Sequence, residues 1–351
     1  MCALLCPVTL DAADDLWSEI VIPEESDTPG PYRHPCSFDE LDNGDLFVVY
    51  YGGAGEYEGD TAVYGFRKQK GSDTWSQPQV IADTPYRSEG NAVIWQGPQG
   101  VVWLFYLTRY GETWSTSRIK YKTSTDGGNT WTDSRLLSFE EGLMVRGHPI
   151  VLMDGDYLLP VYHETGHDRE NVGADSTSLF FRYDPETREW SETNRVNSRL
   201  GNIQPSVVQV DANYLVAYSR RGGGYGPLAD GFLVRSESRD GGRTWSAGTD
   251  SPFPNPNAAT DLIKLKNGHL LLVYNDNNQG ERMPLTAAIS TDNDQSWKFK
   301  RDIVTGEGSA AYPTVVQTKD GKIHVMYTSH RRRQINHMVF DESAILSRPV
   351  D

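Results

Sequence analysis

Apolar residues in this chain come in short blocks split by Gly, Asn, Asp and Pro. Nowhere do they keep the three-to-four spacing of an amphipathic helix over a dozen residues. One block recurs: a turn bearing Gly or Asn, then an apolar strand closed by tyrosine. The copies are NGDLFVVY ending at Tyr50, QGVVWLFY at Tyr106, DGDYLLPVY at Tyr162, ANYLVAY at Tyr218, NGHLLLVY at Tyr274 and DGKIHVMY at Tyr327. Successive tyrosines stand 56, 56, 56, 56 and 53 residues apart. A period of about 50 residues holding four short strands is the blade of a β-propeller. The pattern therefore predicts an all-β, six-bladed β-propeller forming one domain over 1–351. Its blades fall roughly at 31–80, 88–135, 145–192, 203–248, 257–300 and 310–345. LWSEIVIP, at 16–23, lies outside the six periods. It is expected to complete the last blade and close the ring, which removes an exposed sheet edge.

A second phrase sits at a fixed phase of this repeat. STDGGNTW occupies 124–131, SRDGGRTW 238–245 and the looser STDNDQSW 290–297, with degenerate copies ending at Trp75 and Trp190. Each Trp follows its blade's tyrosine by 23 to 28 residues. In S-x-D-x-G-x-T-W the Asp side chain caps a tight turn, the Gly supplies a positive φ, and the Trp packs between sheets. The octet reads as a hairpin staple, not as chemistry.

Composition agrees: 37% hydrophobic and 11% aromatic residues, with 33 Gly and 19 Pro, suit a loop-rich β protein with a core. No run of 18 apolar residues exists, so no membrane span is expected. A net charge of −15 argues against a nucleic-acid partner, and the basic run RRRQINH at 331–337 reads as a solvated hairpin turn at the ring's edge. Cys2, Cys6 and Cys36 are too few for a disulfide framework and lack zinc spacing. The opening MCALLCPVTL has an apolar run but neither a basic region nor a small-residue cleavage site, so it reads as a poor signal peptide.

The octets resemble the Asp-box, or BNR, repeats of sialidases. From about residue 15 to 345 the chain is similar to that superfamily, and to its neuraminidase-like branch in RSEGNAVIWQ, NIQPSVVQ, PNPNAATDLI and YPTVVQTKDGKIHVMYT. The resemblance implies an exo-acting, retaining glycosidase that releases a terminal acidic sugar, a sialic acid or related 2-keto sugar acid, from glycans. It implies an exported protein, secreted or periplasmic, and neither cofactor nor metal. Three arginines would grip the sugar carboxylate, since planar guanidinium forks match it bidentately. They are Arg33 in PYRHPCSF, where His34 replaces an Ile, Arg220 or Arg221 in YSRRGG, and Arg282 in ERMPLTAAISTD. Tyr312, in GSAAYPTVVQ, matches the nucleophile. A neutral phenol approaches an anomeric carbon bearing a carboxylate without the repulsion a carboxylate nucleophile would meet. The family's activating Glu falls on Gln204, which cannot accept a proton; Glu307 and Glu164 are substitutes on paper. For the acid/base, the loop YYGGAGEYEGDTAV offers Glu56, Glu58 and Asp60, with Glu56 and Asp60 at the branch's spacing.

Further polar residues at strand ends are expected to line one face as a sugar site: Arg87, Glu89 and Asn91, Arg146 and His148, His163 with Glu164, and Asp261, Asn275 and Asp276. Two alternatives stand beside this reading, and Gln204 and His34 favour the first. One is a glycosidase or lyase acting on a uronic-acid polysaccharide, with His148 or His163 as base and Tyr312 as acid. The other is a non-catalytic carbohydrate-binding propeller.

Overall fold

The computed structural model describes residues 15–26, 30–167 and 171–348. The start of the chain, with Cys2 and Cys6, lies outside them. Six antiparallel sheets follow one another in chain order around an axis, making a six-bladed β-propeller. Blade 1 is typical, with strands Tyr32–Glu40, Leu46–Gly53, Ala62–Lys68 and Gln79–Ala82 running from the axis outward. The innermost strands of blades 2, 4, 5 and 6 are Ser88–Gln96, Asn202–Gln209, Asp261–Lys264 and Ala311–Gln317. In blade 3 the innermost strand is broken into Leu143–Val145 and Ile150–Val151. Leu16–Ile22 pairs antiparallel with Gln334–Phe340 and so supplies blade 6 with its outer strand.

The core lies between blades. Val208, Val216 and Tyr218 of blade 4 pack on Leu262, Leu270 and Leu272 of blade 5 in one cluster. A strand held between two neighbouring sheets buries both faces, so LLLVYN at Leu270–Asn275 is apolar almost throughout rather than alternating. That is why the tyrosine-ended blocks stand out in the sequence.

The octets are glue at the outer hairpins. Asp240 accepts from the backbone N–H of Arg243 (3.0 Å) and Thr244 (2.9 Å) and from Thr244 Oγ1 (2.6 Å). Ser238 Oγ accepts from the N–H of Gly242 (2.9 Å), whose φ of 87° suits only glycine. Asp126 and Asp292 repeat the pattern. The tryptophan then packs on the preceding blade: Trp245 stacks on Phe180 at 3.9 Å, and Trp297 meets Phe253 edge-on at 5.3 Å. In the looser octet Asp294 occupies a glycine position at φ 70°. Its carboxylate accepts from Tyr218 Oη (2.7 Å) and Arg235 Nε (2.8 Å), so the strained turn gains an ionic link to blade 4.

A second set of staples circles the axis where the innermost strands end. Gln96, Gln209 and Gln317 accept, through Oε1, the N–H of Asp42 (2.6 Å), Met153 (2.7 Å) and Lys266 (2.8 Å) in the preceding blade. Glu40 does the same with Lys319 (2.6 Å), joining blade 1 to blade 6. At the equivalent place in blade 3 stands Val151, and the turn it faces offers Pro98, which has no N–H to satisfy. There Trp95 packs edge-on against Tyr157 at 5.0 Å. The ring is further fastened by Glu19, which accepts from Trp75 Nε1 (3.1 Å) and sits 2.9 Å from His337 Nδ1.

Candidate active site

Where the innermost strands begin, four blades share one irregularity. The ladder with the second strand slips between Arg33 and Cys36, Gly90 and Val93, Ile203 and Ser206, and Ala311 and Thr314. The slip places His34, Asn91, Gln204 and Tyr312 at one repeat position. Asn91, Gln204 and Tyr312 have positive φ (27°, 56° and 55°), a strain of about 1–3 kcal/mol each. A bulge re-aims side chains. Asn91, Gln204 and Tyr312 converge on a narrow chamber of about 40 Å³ at this end of the axis, with His34 packed against Tyr312.

The other walls come from the loops joining second and third strands, which open on the same face. They bring Glu56 and Tyr57 from blade 1, Trp114 from blade 2, Glu164 from blade 3, Tyr225 from blade 4 and Arg332 from blade 6. Arg282, in the corresponding loop of blade 5, lies over the Tyr225 ring at 5.6 Å and over Tyr312 at 5.2 Å.

Tyr312 sits at the centre. Its Oη accepts from Arg220 Nη1 (2.7 Å) and from Gln204 Nε2 (3.4 Å). Arg220 Nη1 also reaches Gln204 Oε1 (3.2 Å), which fixes the amide with its nitrogen toward the phenol. Both neighbours thus donate to the phenol oxygen. Burial works against ionisation of Tyr312, but Arg220, Arg282 and Arg332 more than offset it, with help from Gln204, and bring the phenol down to about 8. Arg146 adds a fourth cation 5.7 Å from the ring, its Nη2 on Pro313 O (2.5 Å). The imidazole of His34 meets Tyr312 edge-on at 4.2 Å. Burial first, then the same arginines, hold His34 well below the usual histidine range, so it packs as a neutral ring. Thr328 Oγ1 donates to Ala311 O (3.2 Å) and so accepts from His34 Nδ1 (2.7 Å).

The candidates from sequence divide accordingly. Tyr312, Gln204, Arg220, Arg282, Glu56, Glu164, His34, Arg146 and Asn91 come together at or against the chamber. Of the YSRRGG pair it is Arg220 that faces Tyr312; Arg221 is buried the other way, on Asn255 O (2.7 Å). Arg33 does not line the chamber. It is fully buried, its guanidinium donating to Ser26 O and Arg333 O, because the chain turns inward only one residue later. Asp60 is exposed, and its carboxylate accepts from the N–H of Ala54 (3.3 Å). Glu89 is buried, accepting from Thr108 Oγ1 (2.6 Å). His148 lines a different cavity, at the opposite end of the axis, and its Nε2 lies 3.0 Å from Ser37 Oγ. Asp261 is consumed there by Ser206 Oγ (2.8 Å) and the N–H of Val315 (2.8 Å). His163 faces Glu140 (3.6 Å), and Asp276 is tied to Lys300 (2.6 Å) of its own blade. Glu307 opens onto an outer cavity.

Sequence reasoning missed Arg332, Tyr225, Trp114 and Tyr57. The run RRRQINH was expected to be a solvated turn; Arg332 instead enters the chamber, pairing with Glu56 and reaching Tyr32 Oη (3.3 Å). The signal was available: every one of these residues falls between the second and third strands of a blade, on the face where Tyr312 lies.

Among the described residues, no group of three or more His, Cys, Asp and Glu could hold a metal ion, and no helix is long and apolar enough to cross a membrane. Among curated proteins no relative of this sequence is found. The fold is similar to a Hadza microbial sialidase, Hz136, at 16% identity and TM-score 0.77, over 93% of this chain and 69% of that one. It is also similar to a Dyadobacter fermentans protein of unknown function (14%, TM-score 0.75, 93% and 100% covered). An intramolecular trans-sialidase from Ruminococcus gnavus matches at 13% and TM-score 0.75, over 93% and 98%. The profile of a BNR repeat-like domain matches residues 44–325.

Proposed function

From the premise that the chain belongs to the BNR repeat-like domain family, we propose that it is an exo-acting, retaining glycosidase that releases a terminal acidic sugar from a glycan. The observation that carries this is Tyr312, its oxygen held by two N–H donors inside a small arginine-walled chamber. Arg220 and Arg282 hold the sugar carboxylate. The cationic surroundings raise the ionised fraction of Tyr312, and that phenolate attacks the anomeric carbon directly, so no base is needed where Gln204 stands. Glu56, once it has left Arg332 and taken up a proton from solvent, gives that proton to the departing glycosidic oxygen. It then takes one from the water that attacks the same carbon, and the phenolate leaves. The two sialidase folds at low identity support the architecture; the acidic sugar rests on the arginines.

One observation favours a second reading. A phenolate beside arginines that neutralise a carboxylate also suits abstraction of the proton next to that carboxylate, the first step of β-elimination from a uronate. In that reaction Tyr312 is the base, since neither His148 nor His163 reaches the chamber.

Release of 4-methylumbelliferone from its α-sialoside, by the wild type and by Tyr312→Phe, is the test. Turnover abolished by Tyr312→Phe supports the glycosidase. No release, with an unsaturated product absorbing near 232 nm from a uronate polysaccharide, turns the reading to the lyase. Glycan binding without turnover, indifferent to Tyr312→Phe, sinks both.

A further inference from the structure

On blade 2, the face that holds the Tyr312 chamber carries a second cluster of side chains that the chemistry above does not use. Innermost strands start at this face, so the connections after second and fourth strands return to it. Tyr86 and Arg87 lie on the connection after Gln79–Ala82, Tyr110 follows Val102–Arg109, and Phe139 follows Arg135–Leu136. Arg118 and Lys120 join them from the start of Ser117–Ser124. The Tyr110 ring has three cations around it: Arg118, Arg87 and Lys120 stand 5.4, 5.6 and 5.7 Å from its centroid. Like charges gathered on one ring repel. Of the three, only Arg118 forms an ion pair among the described residues, with the exposed Glu141 (2.9 Å). Arg87 Nη1 and Lys120 Nζ donate to neutral oxygens, Tyr110 O (3.1 Å) and Thr84 Oγ1 (2.8 Å). Beside them Tyr86 is 93% exposed and Phe139 83% exposed. Tyr86 also holds a φ of 62°, a strain of about 1–3 kcal/mol that no burial of its ring offsets. Single exposed aromatics are ordinary, but two beside three cations make a surface of one chemistry. That surface adjoins the chamber. A Cβ at Gly59, in the loop that carries Glu56, would stand 3.6 Å from the carbonyl carbon of Tyr86, and Arg109 Nη2 donates to Tyr57 O (2.7 Å) in the chamber wall.

We propose that this part of the face is an outer binding surface for an anionic polysaccharide, holding the chain whose terminal sugar enters the chamber. The inference rests on the acidic-sugar reading above and gives it a substrate class, a polymer with a carboxylate on successive sugars. The apolar C–H face of a pyranose packs on an aromatic ring, and Tyr86 and Phe139 present such rings to solvent. Carboxylates spaced along the chain meet Arg87, Lys120 and Arg118 and relieve their mutual repulsion. The rest of the molecule favours the same place: a net charge of −15 repels a polyanion elsewhere, so a local positive patch orients it. A neutral polymer gains only the stacking, and a single acidic sugar gains only the chamber.

The test is binding, measured by calorimetry on the full chain at low and at high salt. Polysialic acid and polymannuronate are the polymers, with dextran as the neutral control, all in a Tyr312→Phe background so that none is consumed. N-acetylneuraminic acid and glucuronic acid are the single sugars, measured on the chain with Tyr312 intact. The variants are Arg87→Gln combined with Lys120→Gln, Tyr86→Gly, and Phe139→Ser, with circular dichroism and melting as folding controls. The double charge variant should weaken polymer binding about 5- to 10-fold and flatten its salt dependence. Tyr86→Gly and Phe139→Ser should each weaken it about 3-fold or more. Tyr86→Gly relieves the strained φ, so its Tm should hold or rise while its binding falls, which a merely structural role would not give. No variant should move Kd for the single sugars, and dextran should gain nothing from the cations. The proposal fails if neither polyanion binds, if the variants bind the polymers as their parent does, or if they lose the single sugars equally. It fails too if an oligodeoxythymidylate binds the patch as tightly as the polymers, since the surface then reads charge alone. Polymers held through the patch, with neither single sugar bound, overturn the acidic-sugar reading and leave the outer surface standing.

Discussion

Arg220→Met should lift the titration of Tyr312 from about 8 back above the ordinary tyrosine value of about 10. Tyr312 is buried, and burial alone raises a phenol; Arg220, Arg282 and Arg332 reverse that, Arg220 most strongly and in direct contact at 2.7 Å. Two units below ordinary tyrosine correspond to about 2.7 kcal/mol favouring the phenolate. With Arg220 replaced, the largest favourable interaction is gone and the burial penalty stays. At pH 7 the ionised fraction then falls from about one in ten to about one in a thousand, so a reaction that uses the phenolate slows roughly 100-fold. Two assays read this independently. Phenolate absorbance near 295 nm gives the titration without any substrate. The pH profile of turnover gives its chemical consequence: activity rising with pH toward about 8 in the wild type, and still rising beyond 10 in Arg220→Met. Arg220→Lys keeps the charge and should fall between the two. The reasoning is refuted if the absorbance step near 8 survives in Arg220→Met, or if it survives in Tyr312→Phe and so belongs to another group.

Three further predictions concern the scaffold. Asp240→Ala should cost about 1–2 kcal/mol, read as a lower urea midpoint, because it orphans the N–H groups of Arg243 and Thr244. Although burial opposes it, hydrogen bonds from Thr244, Ser238 and Arg243 hold the Asp240 carboxyl down to about 2, below its unfolded value of 3.8. Its contribution is thus present above about pH 4 and lost as pH falls through 2, so the deficit of the variant should shrink over that window. Gln317→Leu should destabilise by about 1–2 kcal/mol in chemical denaturation by orphaning the N–H of Lys266, whereas Val151→Gln should add nothing, since Pro98 offers no donor. Trp245→Ala should cost about 3–5 kcal/mol, visible as a clear drop in Tm, since it empties the space against Phe180 between blades 3 and 4.

The reach of the sequence is clearest at residues whose position is set by the repeat. The resemblance to sialidases marks out Tyr312, Gln204, Arg220 and Arg282, and the repeat agrees with it: Tyr312 and Gln204 stand at one phase of the innermost strand, Arg220 follows a tyrosine-closed block, and Arg282 precedes the fifth octet. Arg33 shows where such reasoning stops. It precedes His34 by one residue, and the bulge decides which of two neighbours turns inward; a side-chain period of two makes that a choice between opposite directions. Loop residues escaped for another reason. The repeat places Arg332, Tyr225 and Trp114 on the face where Tyr312 lies, but which side chain of each connection enters the chamber depends on what the connection packs against.

By itself, then, the sequence determined the number of blades, the octets as staples and the strand that closes the ring, because burial between sheets and turn geometry are local demands repeated six times. It also carried the chain to an arginine-rich site around Tyr312. Only the tertiary structure decided which cations meet there, that Gln204 donates to the phenol, and that Glu56 sits on Arg332. The Gln204–Tyr312 and Glu56–Arg332 contacts join residues 108 and 276 positions apart, where the energy of a charge depends on what else the fold has buried beside it.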